Sequence, residues 1–279
     1  MALWGTFTNV PILPGLDRTL GNVPPHGVID YNMTNRPRMH NEVPGPHMPI
    51  APLPILYEDN HCLAINKPAG LTSAHFQGKE QTLDRLVKEY IKDKYKKPGK
   101  VFLGVVHRLD KPVSGAMLFA RTSKAAARLS EQFREGTIDK VYWAVVEGRV
   151  QNAAGTLEDW LRKNPETHRV DIVEPNAKGA RQSLLHYQRR AVHNDVTWLE
   201  IRPQTGRTHQ LRVQLAHHGH PICGDAKYGS TTTFGNAIAL HARALTFLHP
   251  IRYDPIALVA DIPDDWRERF LQVLHEARR

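Results

Sequence analysis

A chain of 279 residues, 41% of them hydrophobic, is long enough for one large domain or two ordinary ones and apolar enough to bury a core, which excludes a wholly disordered protein. Lys and Arg number 37 against 28 Asp and Glu, a formal charge of +9; this fits an extended polyanion such as a nucleic acid or, with no partner at all, a solvated basic surface. Cys62 and Cys223 are the only cysteines, which excludes a disulfide framework and a four-cysteine zinc site and suits a reducing cytoplasm, and no apolar run approaches the ~20 residues that span a bilayer.

Met1 to Gly5 lacks a basic start followed by an apolar segment, so no export is expected. Ten of the 20 prolines lie within residues 1–54, which therefore carry neither long helices nor central strands. This stretch reads as a poorly ordered extension, with a docking arm for RNA or protein as the alternative, and Met48 offers a second translation start. From Ile55 the pattern becomes globular. Residues 55–59 and 62–66 read as two short strands, closed by Lys67-Pro68-Ala69-Gly70. Leu83, Leu86, Val87, Tyr90 and Ile91 recur at helical spacing behind Thr82 as N-cap, giving an amphipathic helix to about Tyr95 that Pro98-Gly99 stops. The lysines from Lys92 to Lys100 suit a solvated helix end and, secondarily, phosphate contacts.

Residues 101–106 read as a buried strand, Gly115 to Ala120 as another, and Ser123 to Arg134 as a helix ended by Gly136. Further strands are expected at 138–147, 182–192 and 196–202, a helix from Thr208 to His218 closed by Gly219, strands around 237–247 and 256–260, and a short helix from about Asp264. Several strands follow one another without a crossover helix. The expected class is therefore α+β, a mixed and mainly antiparallel sheet flanked by helices and loops, in one domain over residues 55–279.

The most unusual local sequence is the charged turn from His107 to Gly115, wedged between two apolar strands. Asp110 stands between Arg108 and Lys111, so its carboxylate can stay ionised as a nucleophile or general base; equally, it can cap a turn beside a surface arginine. A second constellation runs from Arg202 to Arg212 around a Thr205-Gly206 turn. If that turn bends the chain, Arg212 faces inward and Arg207 outward to phosphate; the other reading is a surface helix with ordinary arginines. On a strand, Lys140, Tyr142 and Ala144 share one face and Val141 and Trp143 the other, which offers Tyr142 either to a nucleobase or to the core. His209, His217, His218 and His220 invite a metal, but adjacent histidines diverge on a helix and no carboxylate or cysteine stands at matching spacing before Cys223 and Asp225, so none is expected. Cys223 reads as a small buried residue.

Taken together, these segments resemble the RluA-type pseudouridine synthases. The charged turn is similar to that family's H-R-L-D-x-x-T-S-G motif, Lys140-Val141-Tyr142 to its K-x-Y element, and Thr205 to Arg212 to its arginine motif. Residues 219–229 resemble its G-H-P-I-x-G-D-x-x-Y-G segment, and Leu240-His241-Ala242 and Leu248-His249-Pro250 follow in the family's order. The resemblance implies isomerisation of uridine in ribosomal or transfer RNA with no metal or other cofactor, by a monomer with no obligatory protein partner. It makes Asp110 the catalytic aspartate, Tyr142 the stacking tyrosine and Arg212 the arginine that pairs with Asp110, with Arg207 second for that role. His107, Arg108, Lys140, Arg207 and Gln210 form the expected RNA-facing set. The family's usual threonine is Val113 here, and the N-terminal segment is too proline-rich for the small RNA-binding module many relatives carry.

Overall fold

The computed structural model describes residues 53–74 and 80–276. All of the proline-rich segment but its last two residues, Met48 included, lies outside them. The first half of the described chain carries β1 (Ile55–Glu58), β2 (Cys62–Lys67), α1 (Leu83–Lys94), β3 (Gly104–Val105), β4 (Ser114–Ala120), α2 (Ser123–Glu135) and β5 (Asp139–Glu147). The second half carries β6 (Ala154–Lys163), β7 (Val170–Val173), β8 (Arg181–His193), β9 (Val196–Pro203), α3 (Gln210–His217), β10 (Leu240–Leu248), β11 (Pro255–Val259) and α4 (Asp264–Glu276), with a single 3₁₀ turn at Ala226–Tyr228.

The strands form one sheet in the order β1-β2-β4-β10-β5-β9-β8-β6-β7, with β3 paired to β4 and β11 to β10. The pairings are antiparallel except β4 with β10, which run parallel through His241↔Ser114 and Ala242↔Gly115. This is the mixed, mainly antiparallel α+β architecture expected from the succession of strands. The seven residues of β4 are all buried. Met117 and Phe119 join a core with Leu63, Ile65 and the α1 residues Leu83, Val87 and Ile91, whereas Ala116, Leu118 and Ala120 join a second with Ala125 and Leu129 of α2. A strand covered on both faces has no polar side to display, which is why its sequence is a continuous apolar run.

The structure departs from the sequence reading in several elements. The sequence pattern does not predict β6 and β7. The inward positions of β6 are Leu157, Asp159 and Leu161, so a buried carboxylate interrupts the alternation that marks a strand; the Gln214 amide satisfies it at 2.8 Å. The strand expected over 101–106 shrinks to Gly104–Val105, because β2 fills one edge of β4 and β10 takes the N-terminal end of the other, leaving room opposite Ala120 and Phe119 only. Thr82 does occupy the N-cap position of α1, but its hydroxyl donates to the Asp84 carboxylate instead of accepting a helix N–H. α3 begins at Gln210, not Thr208, since His209 is left-handed with φ 52°. The last helix is 13 residues long, with non-helical dihedrals at Phe270.

Candidate active site

Asp110 sits in the turn between β3 and β4, which closes with Val113 N–H donating to the Asp110 carbonyl at 3.0 Å. Backbone and side chains of residues 67–73 clamp this turn on both sides of Asp110. The Ser73 hydroxyl donates to the Leu109 carbonyl at 2.6 Å and accepts from the Leu109 N–H at 3.1 Å. The Lys111 carbonyl accepts from Gly70 N–H at 2.8 Å and from the Lys67 ammonium at 3.2 Å. Lys67 is fully buried, and burial pulls its pKa down to about 7 against the opposing charge of Asp110. Downstream, Ser114 Oγ and His241 Nδ1 are hydrogen-bonded at 2.8 Å. Gly115 adopts φ 118° against the Ala242 backbone, where a Cβ would collide. The Ser-Gly pair is therefore what lets β4 meet β10 in parallel beside the turn. Val113, standing where the family has threonine, is 3% exposed and packs into the larger core.

Arg212 reaches Asp110 from α3. Its Nη1 donates to Asp110 Oδ2 at 3.0 Å, while Nε and Nη2 bond the two Asp225 oxygens at 2.7 and 2.8 Å. Burial alone would lower the Arg212 pKa, but hydrogen bonds to Asp225 and the charges of both carboxylates outweigh it and raise it. Arg212 thus joins a buried Asp225 to a partly open Asp110. The Tyr228 ring lies beside the Arg212 guanidinium, 5.1 Å from its centroid. β5 supplies Tyr142 and Lys140 to the same cleft, on the strand face that alternation assigned them. Burial, then the Asp110 charge, pushes the Tyr142 hydroxyl up to about 12, so it stays a neutral phenol.

Asp110, Arg212, Tyr142 and Lys140 line a cleft of about 510 Å³, part of it open to solvent, that also meets Arg108, Arg207, His209 and Gln210. Seven of the eight residues singled out from the sequence therefore come together. The exception is His107. Its ring turns to the α2 side, stacks on Phe133 at 4.5 Å and accepts the Leu118 N–H at 2.8 Å, and burial holds its pKa at about 3. Gln210, although it borders the cleft, uses its amide internally: Oε1 accepts from Thr205 Oγ1 and Arg207 N–H, and Nε2 donates to the Leu184 carbonyl. Arg207 is exposed and Arg212 is 5% exposed, the opposed orientations that a bend at Thr205-Gly206 calls for. Arg108 and Lys111 flank Asp110 in sequence, but Lys111 pairs instead with Glu80 at 2.8 Å. The sequence assigns no site role to Asp225, Tyr228, Ser73 or Lys67, although Asp225 and Tyr228 lie in the segment over residues 219–229 that resembles the family's and Lys67 ends an apolar strand before a proline.

The histidines weighed as metal ligands disperse. His209 bonds Tyr228, His218 Asp159 and His220 the Glu147 carbonyl. Asp59, Cys62 and His249 do lie close together. Asp59, however, already accepts from His61 and Cys62 N–H, Tyr57 Oη, His249 Nε2 and Arg252 Nη1, and burial keeps the Cys62 thiol protonated up to about 12. That donor set braces a turn and leaves no lone pairs gathered on a common point.

A family profile described as RNA pseudouridylate synthase matches residues 61–217. The ribosomal large subunit pseudouridine synthase D of Xylella fastidiosa is 36% identical over 232 residues, covering 77% of this chain and 67% of its own. The dual-specificity RNA pseudouridine synthase RluA of Vibrio vulnificus is 36% identical over 209 residues, covering 70% and 78%. Across curated relatives of this kind the chain spans from 66% to 78% of their length, about two thirds at the low end. Among solved structures, human RNA pseudouridylate synthase domain containing 4 superposes with a TM-score of 0.65 at 24% identity, over 80% of this chain and 92% of its own, a likeness of fold.

Proposed function

The chain belongs to the RNA pseudouridylate synthase family, and on that premise we propose that it isomerises uridine to pseudouridine in structured RNA, ribosomal or transfer, with Asp110 as the reacting carboxylate. The observation that carries this reading is the cleft in which Asp110 Oδ2 is held by Arg212 at 3.0 Å opposite Tyr142. Isomerisation breaks the bond from ribose C1′ to uracil N1, forms one from C1′ to C5, and moves a proton from C5 to N1. Atoms and electrons balance within the nucleoside, so the chemistry calls for no redox partner. Ordinary glycoside hydrolysis needs two carboxyl groups, one to protonate the leaving group and one to help the nucleophile. Here uracil leaves and is recaptured, so one carboxylate suffices.

A base inside a stack exposes neither atom, so the uridine must be flipped out. Tyr142 offers the extruded ring a neutral aromatic platform, and Arg108, Arg207 and Lys140 border the cleft where phosphates would pass. The conformation of Gln210 supports this indirectly, by pinning the turn that carries Arg207. Action as a monomer without an obligatory protein partner is part of this reading, as is a reducing cytoplasm, which suits the two buried thiols. Residues 1–54 stay outside the catalytic domain on this reading. The test is Asp110→Asn: pseudouridine formation, mapped in total RNA, disappears while RNA binding in a gel-shift assay persists. Full activity in that variant refutes the assignment.

A further inference from the structure

One residue of the cleft has a geometry that its neighbours do not explain. His209 is the N-cap of α3 at φ 52° and ψ 17°, and of the five non-glycine residues with positive φ among the described residues it alone lines the cleft. A left-handed backbone is uncommon for a non-glycine residue, histidine included, and such conformations persist where the surroundings hold them.

That hold can be read from the hydrogen bonds. Tyr228 Oη accepts the Val170 N–H at 3.1 Å and lies 2.7 Å from His209 Nδ1. A phenol has one proton. Nδ1 is the only acceptor that the hydroxyl proton meets among the described residues, so the arrangement that satisfies the phenol sends the proton to the Nδ1 lone pair. The neutral imidazole consequently carries its hydrogen on Nε2. Nε2 lies 3.6 Å from Asp110 Oδ2, the same oxygen that Arg212 holds, whereas Oδ1 has no hydrogen bond among the described residues. A distance of 3.6 Å is longer than a formed hydrogen bond, and contacts of this kind tighten when substrate closes the site.

We propose that His209 is a positioning residue for the reaction: its Nε2–H, set by Tyr228, fixes Asp110 Oδ2 beside Arg212 so that Oδ1 is the oxygen presented to the flipped nucleotide. This rests on Asp110 being the reacting carboxylate. Val170, Tyr228, His209 and Asp110 then form a relay of orientation from β7 through the 3₁₀ turn to the cleft. Burial, reinforced by Arg212 and Lys227 against the charges of Asp110 and Asp225, keeps the imidazole neutral and leaves it a single N–H to aim.

Two amides separate the two ends of the ring. A glutamine amide overlays imidazole Nε2 and restores the donor to Asp110, whereas an asparagine amide overlays Nδ1 and restores only the Tyr228 contact. Asparagine is also better suited to positive φ than histidine, so His209→Asn has no backbone reason to unfold. In the full chain, His209→Asn should lose about 10- to 100-fold in kcat, the worth of a hydrogen bond to a charged group, with KM for RNA unchanged. His209→Gln should recover most of that loss. The opposite order, with asparagine the more active, shows that His209 only braces Tyr228 and overturns the proposal. Long-range ¹⁵N–¹H NMR of the RNA-free protein supplies a second readout: an Nε2–H tautomer whose ring shifts respond to Asp110→Asn is expected, and an Nδ1–H tautomer or an unresponsive ring overturns it. If the wild-type chain forms no pseudouridine in any RNA, the functional reading fails, and the tautomer still decides the His209–Asp110 contact.

Discussion

Asp225, buried behind the cleft, is the residue whose removal should be felt most widely. It is 1% exposed, and both its oxygens bond the guanidinium of Arg212, itself 5% exposed. In Asp225→Asn the shape is kept, but one oxygen becomes an NH₂ that faces a donor, and Arg212 retains only the carboxylate of Asp110. Taking away one partner of a buried ion pair costs about 3–5 kcal/mol, because the other charge stays buried with less to compensate it. For a domain of this size each kcal/mol shifts Tm by about 2–4 °C, so calorimetry should record a fall of roughly 6–20 °C. A guanidinium held at one end is free to rotate, and Asp110 Oδ2 drifts with it. A displacement of about 1 Å at a reacting group costs on the order of 100-fold, so single-turnover pseudouridine formation, measured well below the lowered Tm, should drop by about that factor. A variant that melts within about 2 °C of wild type and turns over normally refutes the argument that Asp225 holds Arg212 and Arg212 holds Asp110.

Three further outcomes follow from the same geometry. Lys67 binds its proton less tightly when folded than the free side chain does, so the unfolded chain holds more protons between about pH 7 and 10.5 and stability rises with pH across that window; Lys67→Met should flatten the rise in denaturant titrations at several pH values. Tyr142→Ala should lower kcat/KM by about 10- to 100-fold through loss of stacking while Tyr142→Phe keeps the ring, and with the hydroxyl held near 12 the wild-type pH–rate profile should show no tyrosine limb in the neutral range. Gly115→Ala should destabilise by about 3 kcal/mol or more, since φ 118° is strained for alanine and its methyl meets the Ala242 backbone; wild-type-like unfolding would show that the β4–β10 junction yields.

What could be read from the sequence followed local rules. Sheet class, α1, α2 and the central strands announce themselves through periodicity, and Asp110, Tyr142 and Arg212 through motifs confined to a few residues. The failures share a non-local cause. His107 and Asp110 belong to one short turn, yet the strand register sends one ring to Phe133 and the other side chain to the cleft. Gln210 sits among basic residues that suggest RNA, but a carbonyl 26 positions away claims its amide. β6 was hidden because Asp159 faces inward, a position made tolerable by Gln214, 55 residues further on. Asp225 offers no hint of its role until α3 is laid across it. In each case the deciding partner is distant in sequence, and pattern rules extend over a single element.

The parallel seam between β4 and β10 also sets a schedule. Ser114 waits for His241, 127 residues downstream, and Asp110 for Arg212, 102 downstream. At translation rates of about 5–20 residues per second, the first wait lasts roughly 6–25 s. During that interval β1 to β4, α1 and α2 have emerged, and one end of the most buried strand stands as an open edge. Until β10 arrives, the strand that leads out of the Asp110 turn has an unpaired edge at Ser114 and Gly115. Sequence distance thus orders the assembly: the edge of β4 beside the Asp110 turn closes only when a strand 127 residues further on is in place.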